Sequence, residues 1–571
     1  MFKKRKRSII FVLAFFLFLF GCSNENENVE ELTDDGENTT PQAVEQSDQL
    51  VEDRRIYKYD EENEVVHLYV TILPVNENRD DSLTFFDMNR WYDFNSNKTA
   101  SPKLEVIFQE GDKEGPKKGN FGYEADQANA IIKIRGNSSR YEIQKSYKIK
   151  LYDQTGLWSG QKSLNLNKHM DDLTRVRNKL SFDYFKMIPN MTSLRTQFVN
   201  LHIKDLTANP LGTAFEDYGL YTHVEQANER FLASHGLHPY GNLYKAQSFE
   251  FFRYPDQLKL EDDPSYDNDL FEAVLEVKGS KDHAKLLEML EDINDYSLNF
   301  EQVFEQYFDR ENYLTWIAVN ILFGNEDTMT QNFYLYSPLN SNKWYFLPWD
   351  YDGAWGWNEE NGRTDRPAWQ SGLGRYWGTV LHKRFFKNPV NVEALNKQLE
   401  ELMTIVTPEQ TKQFLDSYYD VVYPFVSESP DLNYLPIEIE SFKENYYSLI
   451  DFPEKALQIY QKQLENPMPF FQSATKLDAG KYMFQWDVSY DLQGDDLSYT
   501  FQLSKDPQFT KMVNEQSDLA GTKVEVNILE AGQYFWKVIA TDSKGNEQIS
   551  FDKYVNSEEE TFYGVKEVIV K

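Results

Sequence analysis

Cysteine is nearly missing: Cys22 is the only one in 571 residues. An intrachain disulfide and a cysteine-built zinc cluster are therefore excluded. No HExxH, GxSxG or Walker A loop occurs, which removes the metalloprotease, serine-hydrolase and P-loop readings. Positive charge is scarce as well. Lys and Arg number 59 against 92 Asp and Glu, for a net charge of −33, so a broad basic surface for nucleic acid is not available. Such a balance suits a soluble protein that draws basic partners. Beyond the opening segment no run is long and apolar enough to span a bilayer. What the chain does have is 40% hydrophobic and 15% aromatic residues, enough for a sizeable core. Its length calls for two to four domains.

Residues 1–21 read as an export signal. Lys3, Lys4, Arg5, Lys6 and Arg7 precede an apolar stretch over 9–20, and then comes Leu19-Phe20-Gly21-Cys22. A small residue before a lone cysteine, with Leu three positions ahead of it, resembles the bacterial lipobox, in which the cysteine carries the lipid. Cys22 is thus the expected lipid attachment point, with the body anchored outside the cytoplasmic membrane. Residues 22–53 are rich in Asn, Glu, Asp and Gln, hold almost no large apolar side chains, and read as a disordered acidic tether.

From residue 57 the pattern turns β-like. Strands are expected at 65–72, 103–108, 130–135 and 145–151. Gly136-Asn137-Ser138-Ser139 separates the last two. Such a turn offers backbone N–H groups and hydroxyls to phosphate oxygens, and an ordinary hairpin turn is the simpler alternative. Lys145 falls on the Tyr147 side of its strand and is expected to point inward, where it needs an anion. Helical spacing follows at 175–187, 270–290, 300–323, 390–426 and 437–464, with short strands at 198–202, 219–224 and 242–245. Asn466-Pro467-Met468-Pro469 marks a boundary. Beyond it Tyr482, Phe484, Trp486 and Val488 alternate, as do Tyr534, Trp536 and Val538, which predicts a β-sandwich. Residues 531–546 resemble a fibronectin type III hairpin.

The most informative stretch is 325–356, NEDTMTQNFYLYSPLNSNKWYFLPWDYDGAWG. Strand-like runs at 332–336 and 343–347 predict a hairpin with carboxylates at both outer ends. A hairpin brings those ends together, so Asp327, Asn332 and Asp350 are placed to converge. Carboxylates joined by an amide oxygen suit a hard divalent cation such as Mg²⁺. Asp327 and Asn332 also reproduce D-x-x-x-x-N, the offset of base and metal-binding Asn in a protein-kinase catalytic loop. Any one of these residues alone reads as a solvated loop carboxylate. Set among Trp344, Tyr345, Phe346, Trp349, Trp355 and Trp357, carboxylates are costly to bury unless paired or metal-bound.

An ordered series of motifs carries a family resemblance: IRGNSS (134–139), KSYKIKL (145–151), RNKLSFDYF (177–185), GLYTHVEQANERFL (219–232), NLYKA (242–246), NEDTMTQNFYLY and WYFLPWDYDGAWG. Over about 57–464 the chain resembles the CotH family, the spore-coat-protein-H-like atypical kinases. The resemblance implies an α+β, two-lobed kinase-like domain at 54–465, followed by a fibronectin type III-like sandwich at 466–571. It implies ATP with Mg²⁺ or Mn²⁺ and phosphorylation of Ser or Thr in a protein substrate, here Ser-rich and basic. Carried over, Asp327 matches the catalytic Asp, and Asp350 and Asn332 match the metal ligands, with Asp352 as a further candidate. Lys145 or Lys148 would hold the phosphates, with Arg135, Ser138 and Lys245 beside them and Glu225 as a charge partner. The expected location is lipid-anchored at the outer face of the bacterial membrane or in the spore or cell envelope. A catalytically silent adhesion or assembly module is the second reading. A glycosidase using Asp327 and Asp350 among tryptophans is the third. Oligomeric state stays open.

Overall fold

The computed structural model describes residues 50–60, 64–74, 83–94, 101–208, 211–212, 214–360, 362, 366–478, 480–527 and 529–570. The expected signal segment, most of the tether and Cys22 lie outside these residues. Two compact units emerge. Among the described residues, one holds those from 50 to 362 together with 379–460, and the other holds 366–378 and those from 461 to 570. No described helix is long and apolar enough to cross a membrane.

The larger unit begins with a β-barrel. Its strands are β1 (Val65–Ile72), β2 (Leu104–Asp112), β3 (Gly115–Pro116), β4 (Ala130–Ile134), β5 (Tyr147–Leu151), β6 (Ser163–Asn167), β7 (Thr196–Asp205) and β8 (Glu216–Val224). They run in the order β1-β7-β8-β6-β5-β4-β2-β3, and an added β1–β2 pairing closes the ring. Closure removes open sheet edges. Strict alternation explains the interior. Tyr147, Ile149 and Leu151 are buried in the barrel core with Ile132, Ile134, Leu164 and Leu166, while Lys148 and Lys150 turn to the outer face.

After the barrel comes a four-stranded antiparallel sheet, order β10-β9-β11-β12, made of β9 (Asn242–Ala246), β10 (Leu275–Val277), β11 (Phe333–Ser337) and β12 (Tyr345–Pro348). The expected hairpin is β11–β12, with Phe333 opposite Pro348 and Tyr336 opposite Tyr345. Helices pack around this sheet. The innermost, α2 (Arg310–Phe323), is buried on every side from Asn312 onward, as its all-round apolar character demands. α1 (Arg177–Phe185) is likewise wholly buried.

Several long helical expectations break into shorter elements. The 270–290 run is a short helix (Asn268–Glu272), then β10, then a helix at Ala284–Asn294. Sheet pairing wins there: Glu276 stands opposite Lys245, and Gly279 packs so tightly that a Cβ would sit 2.5 Å from the Gly241 carbonyl. The 300–323 run divides where Asp309 caps α2, accepting from Asn312 N at 2.7 Å. The 390–426 run divides at Thr407-Pro408, a side-chain cap followed by proline in the first helical turn.

Beyond 3-10 turns at Ala368–Gln370 and Leu373–Gly378 and the end of the Phe452–Gln463 helix, the smaller unit is built of strands. It holds a three-stranded sheet of β13 (Lys476–Asp478), β14 (Lys481–Gln485) and β17 (Lys523–Asn527). A second sheet is built from β15 (Ser498–Ser504), β16 (Met512–Leu519), β18 (Gly532–Thr541), β19 (Glu547–Ile549) and β22 (Val565–Val570), with β20 (Lys553–Val555) and β21 (Thr561–Tyr563) as a separate pair. Phe484, Trp486, Phe501, Val524, Trp536 and Val538 form one core from both sheets.

Candidate functional site

α2 ends on Gly324, which takes the left-handed φ of +58° that closes a helix and turns the chain into Asn325-Glu326-Asp327. Asn325 is buried, and its Nδ2 donates to the backbone carbonyl of Asp350 at 3.3 Å. That bond ties the loop before the hairpin to the loop after it. Asp327 is exposed. Its two oxygens accept from Gln331 Nε2 at 2.6 Å and Asn332 Nδ2 at 2.7 Å. Asn332 uses its NH₂ on Asp327, which leaves its carbonyl Oδ1 as the atom able to ligate a metal.

The loop after β12 is bolted down by aromatic side chains. The Tyr351 hydroxyl donates to Asn320 Oδ1 at 2.9 Å, and Trp355 Nε1 donates to Ser181 Oγ at 2.9 Å. Asn332, Asp350 and Trp355 all hold positive φ, at +57°, +62° and +56°. Non-glycine residues in that region mark backbone held by its surroundings, as functional loops often are.

Charge gathers on Asp350. Burial and the neighbouring Asp352 carboxylate push it up to about 7, and Asp327 adds to the rise; Lys245 and Arg135 pull the other way without prevailing. Arg135 is held below its usual range by burial, against the pull of Asp350 and Asp352. Lys245 is lowered for the same reason, against Glu276 and Asp350. Its Nζ lies 5.4 Å from the Trp349 ring centre, and on the sheet it stands between Glu276 and Tyr334. Among the described residues neither Lys245 nor Arg135 makes an ion pair within 4.0 Å. Two cations with no carboxylate in contact thus face carboxylates crowded enough to hold a proton. Oxygen donors of this kind fit Mg²⁺ or Mn²⁺, and the two cations fit phosphate oxygens.

The other expected residues lie as follows. Asp352 has one oxygen 3.3 Å from His169 Nδ1. Lys148 lies on the outer face of the barrel; burial would raise Glu276, but Lys278 and Lys245, with a smaller pull from Lys148, hold it below the usual carboxylate range. Lys145 is buried, but its Nζ donates to the Arg140 carbonyl at 2.8 Å, within its own loop. Ser138 is exposed and makes no capping bond. Glu225 accepts from the Arg195 N–H at 3.1 Å and pairs with His235 Nε2 at 2.9 Å, so a histidine stands where a lysine partner was expected.

Residues that sequence reasoning passed over lie beside this group. Gln226 Nε2 reaches the Tyr334 hydroxyl at 3.5 Å and its Oε1 accepts from Asn165 Nδ2 at 3.3 Å, linking barrel and sheet. Glu276, hidden inside a supposed helix, sits beside Lys245; the apolar-polar-apolar triplet Leu275-Glu276-Val277 was the available signal. Asn178 and His169 had no signal beyond lying in or near the RNKLSFDYF motif.

Comparison with known proteins agrees with this geometry. The family model described as CotH kinase protein matches residues 132–460, more than half of the chain and all of the loops just described. Inner spore coat protein H of Bacillus subtilis (strain 168) is 26% identical over 316 residues, covering 54% of this chain and 80% of that protein. With the later barrel strands β5 to β8, the hairpin and its carboxylate-bearing loops inside the matched region, the chain belongs to the CotH family.

Proposed function

We propose that this chain is a two-lobed, kinase-like phosphotransferase that moves the γ-phosphoryl group of ATP to a Ser or Thr hydroxyl of a protein. The observation that carries this reading is the gathering of Asp327, Asp352, Lys245 and Arg135 around Asp350. Asp350, Asp352 and the Asn332 amide oxygen are the residues to hold Mg²⁺ or Mn²⁺. When bound, the metal screens the phosphates and draws charge from the β–γ bridge. Lys245 and Arg135 neutralise the phosphate oxygens. Asp327, held in one orientation by Gln331 and Asn332, points the acceptor hydroxyl and takes its proton as the oxygen bonds to phosphorus. The bond from the γ-phosphorus to the β–γ bridging oxygen breaks, and ADP carries that electron pair.

The acidic balance of the chain and the exposed Asp327 and half-exposed Asp352 favour a basic, Ser-rich acceptor. The name of the Bacillus subtilis relative supports a place in the spore or cell envelope. Export and lipid attachment at Cys22 belong to the same proposal, and Cys22→Ser should release the protein from membranes. The test is transfer from labelled ATP, with Mg²⁺ or Mn²⁺, to a Ser-rich basic peptide. Asp327→Ala should lower kcat by about 10²–10⁴, the span of general-base loss, with ATP affinity near wild type. A folded Asp327→Ala protein that transfers phosphate at the wild-type rate refutes the assignment. No transfer by the wild type returns the chain to the silent-module reading.

A further inference from the structure

Asp352 is a half-exposed carboxylate, its side chain 46% accessible, followed by glycine. Left to itself such a side chain samples several rotamers and makes a poor ligand. One group meets it from beneath: His169, whose side chain is 3% accessible, with Nδ1 at 3.3 Å from Asp352 Oδ2. His169 sits just past β6 with a φ of +49°, and its carbonyl accepts from Asp172 N at 3.1 Å and from the Arg175 guanidinium. The ring is therefore set by a firmly bonded backbone.

The far side of the ring meets Asn178 on α1, which is 1% exposed; the Asn178 Nδ2 to His169 Nε2 distance is 3.5 Å. The backbone N–H of Tyr351 donates to Asn178 Oδ1 at 3.2 Å. Each role in this chain follows from the previous one. A backbone N–H only donates, so the oxygen of Asn178 faces Tyr351. Its NH₂ then faces His169, and an NH₂ only donates, so Nε2 is the lone-pair nitrogen. The ring proton is left on Nδ1, aimed at Asp352.

We infer that His169 is a positioning residue for Asp352, oriented by Asn178 so that Nδ1–H is aimed at Asp352. It fixes Oδ2 and leaves Oδ1 for the metal. The inference rests on the proposed metal role of Asp352. One buried amide thereby orders two things at once: the peptide between Asp350 and Asp352, and the ring that orients the second carboxylate. Outer partners of metal ligands act in this way.

The test uses the full chain and Mn²⁺ with ATP as the probe, with affinity read by electron paramagnetic resonance. The amide nitrogen of Asn mimics ring Nδ1, and that of Gln mimics ring Nε2. His169→Asn should bind Mn²⁺ within about threefold of wild type, whereas His169→Gln and His169→Ala should lose about 10- to 100-fold, the usual effect of losing such an outer partner. A purely structural role makes all three lose affinity in step with their melting temperatures. Equal affinities for the Asn and Gln variants overturn the inference. On an Asp352→Asn background, His169→Ala should bring no further loss. If Asp352→Asn binds Mn²⁺ as wild type does, the metal assignment of Asp352 fails. If it loses binding while the His169 variants do not, the positioning role alone fails. Should a His169 variant not fold, ¹⁵N spectra of histidine-labelled wild type decide, with eight histidines to resolve. A His169 proton found on Nε2 refutes the inference.

Discussion

Asp350 links the proposed chemistry to a stability measurement needing no substrate. Its carboxyl is raised from 3.8 to about 7 by burial and by Asp352. The folded protein therefore keeps a proton that the unfolded chain releases between about pH 4 and pH 7. Folding stability falls as pH rises through that window and stays lowered above it. At 1.36 kcal/mol per pH unit the full rise corresponds to roughly 4 kcal/mol. Water reaches this half-buried group, and halving the figure for that screening gives about 2 kcal/mol. Asn copies the protonated carboxyl and accepts the left-handed φ of +62° at least as readily. Metal-free Asp350→Asn should thus melt a few degrees above wild type at pH 8, with a smaller gap at pH 5. Adding Mg²⁺ or Mn²⁺ with ATP should stabilise the wild type and leave the variant unchanged. The assay is calorimetry in a chelator, at both pH values, with and without the metal nucleotide. A variant less stable than wild type at pH 8, or a gap independent of pH, would show that Asp350 carries no such burden.

Three other outcomes are expected. Lys245→Met keeps the stacking on Trp349 but removes the charge, and should weaken ATP binding by about 10-fold or more, the worth of one charge-assisted hydrogen bond, as read by calorimetric titration. Gly324→Ala places a Cβ 2.6 Å from Phe452 Cζ in a backbone with φ of +58°, and should destabilise the larger unit by about 2–4 kcal/mol in denaturant unfolding. Burial alone would lower the pKa of His235, but Glu225 and Glu52 hold it up to about 9. Its contribution of about 3 kcal/mol should be complete below pH 6.5 and lost as pH rises to 9, and His235→Gln should flatten that slope.

Periodicity made most barrel strands and the β11–β12 hairpin legible, because a strand with one buried face must alternate, whereas β3 and β6 were not read. The loop carboxylates were legible because acids beside that many aromatics need a reason. Other features depended on contacts that no local pattern encodes. Lys145 was expected on the buried side and is buried, and its Nζ donates to a carbonyl of its own loop. Glu276 was lost because three residues of strand between two helices leave too short a period to detect. Asn178 and His169 read as unremarkable polar residues, since a donor–acceptor chain joining residues 169, 178, 351 and 352 exists only after folding.

What unites these residues is a division of labour between rigid and reactive parts. α1 and α2 are buried on nearly every face, so amides projecting from or just beyond them are fixed in space. Asn178, Asn320 and Asn325 spend their hydrogen bonds on Tyr351 N–H, the Tyr351 hydroxyl and the Asp350 carbonyl. The loop carrying Asp350 and Asp352 is thus ordered by three buried amides rather than by charge. Apart from Asp352 Oδ2, which meets His169 Nδ1 at 3.3 Å, its carboxylates are placed without ion pairs, and their mutual repulsion raises the Asp350 carboxyl. A site built in this way stores a preference for added positive charge. The proposed phosphoryl transfer would draw on that preference: Asp350 and Asp352 would hold a divalent metal, and Lys245 and Arg135 would neutralise phosphate oxygens.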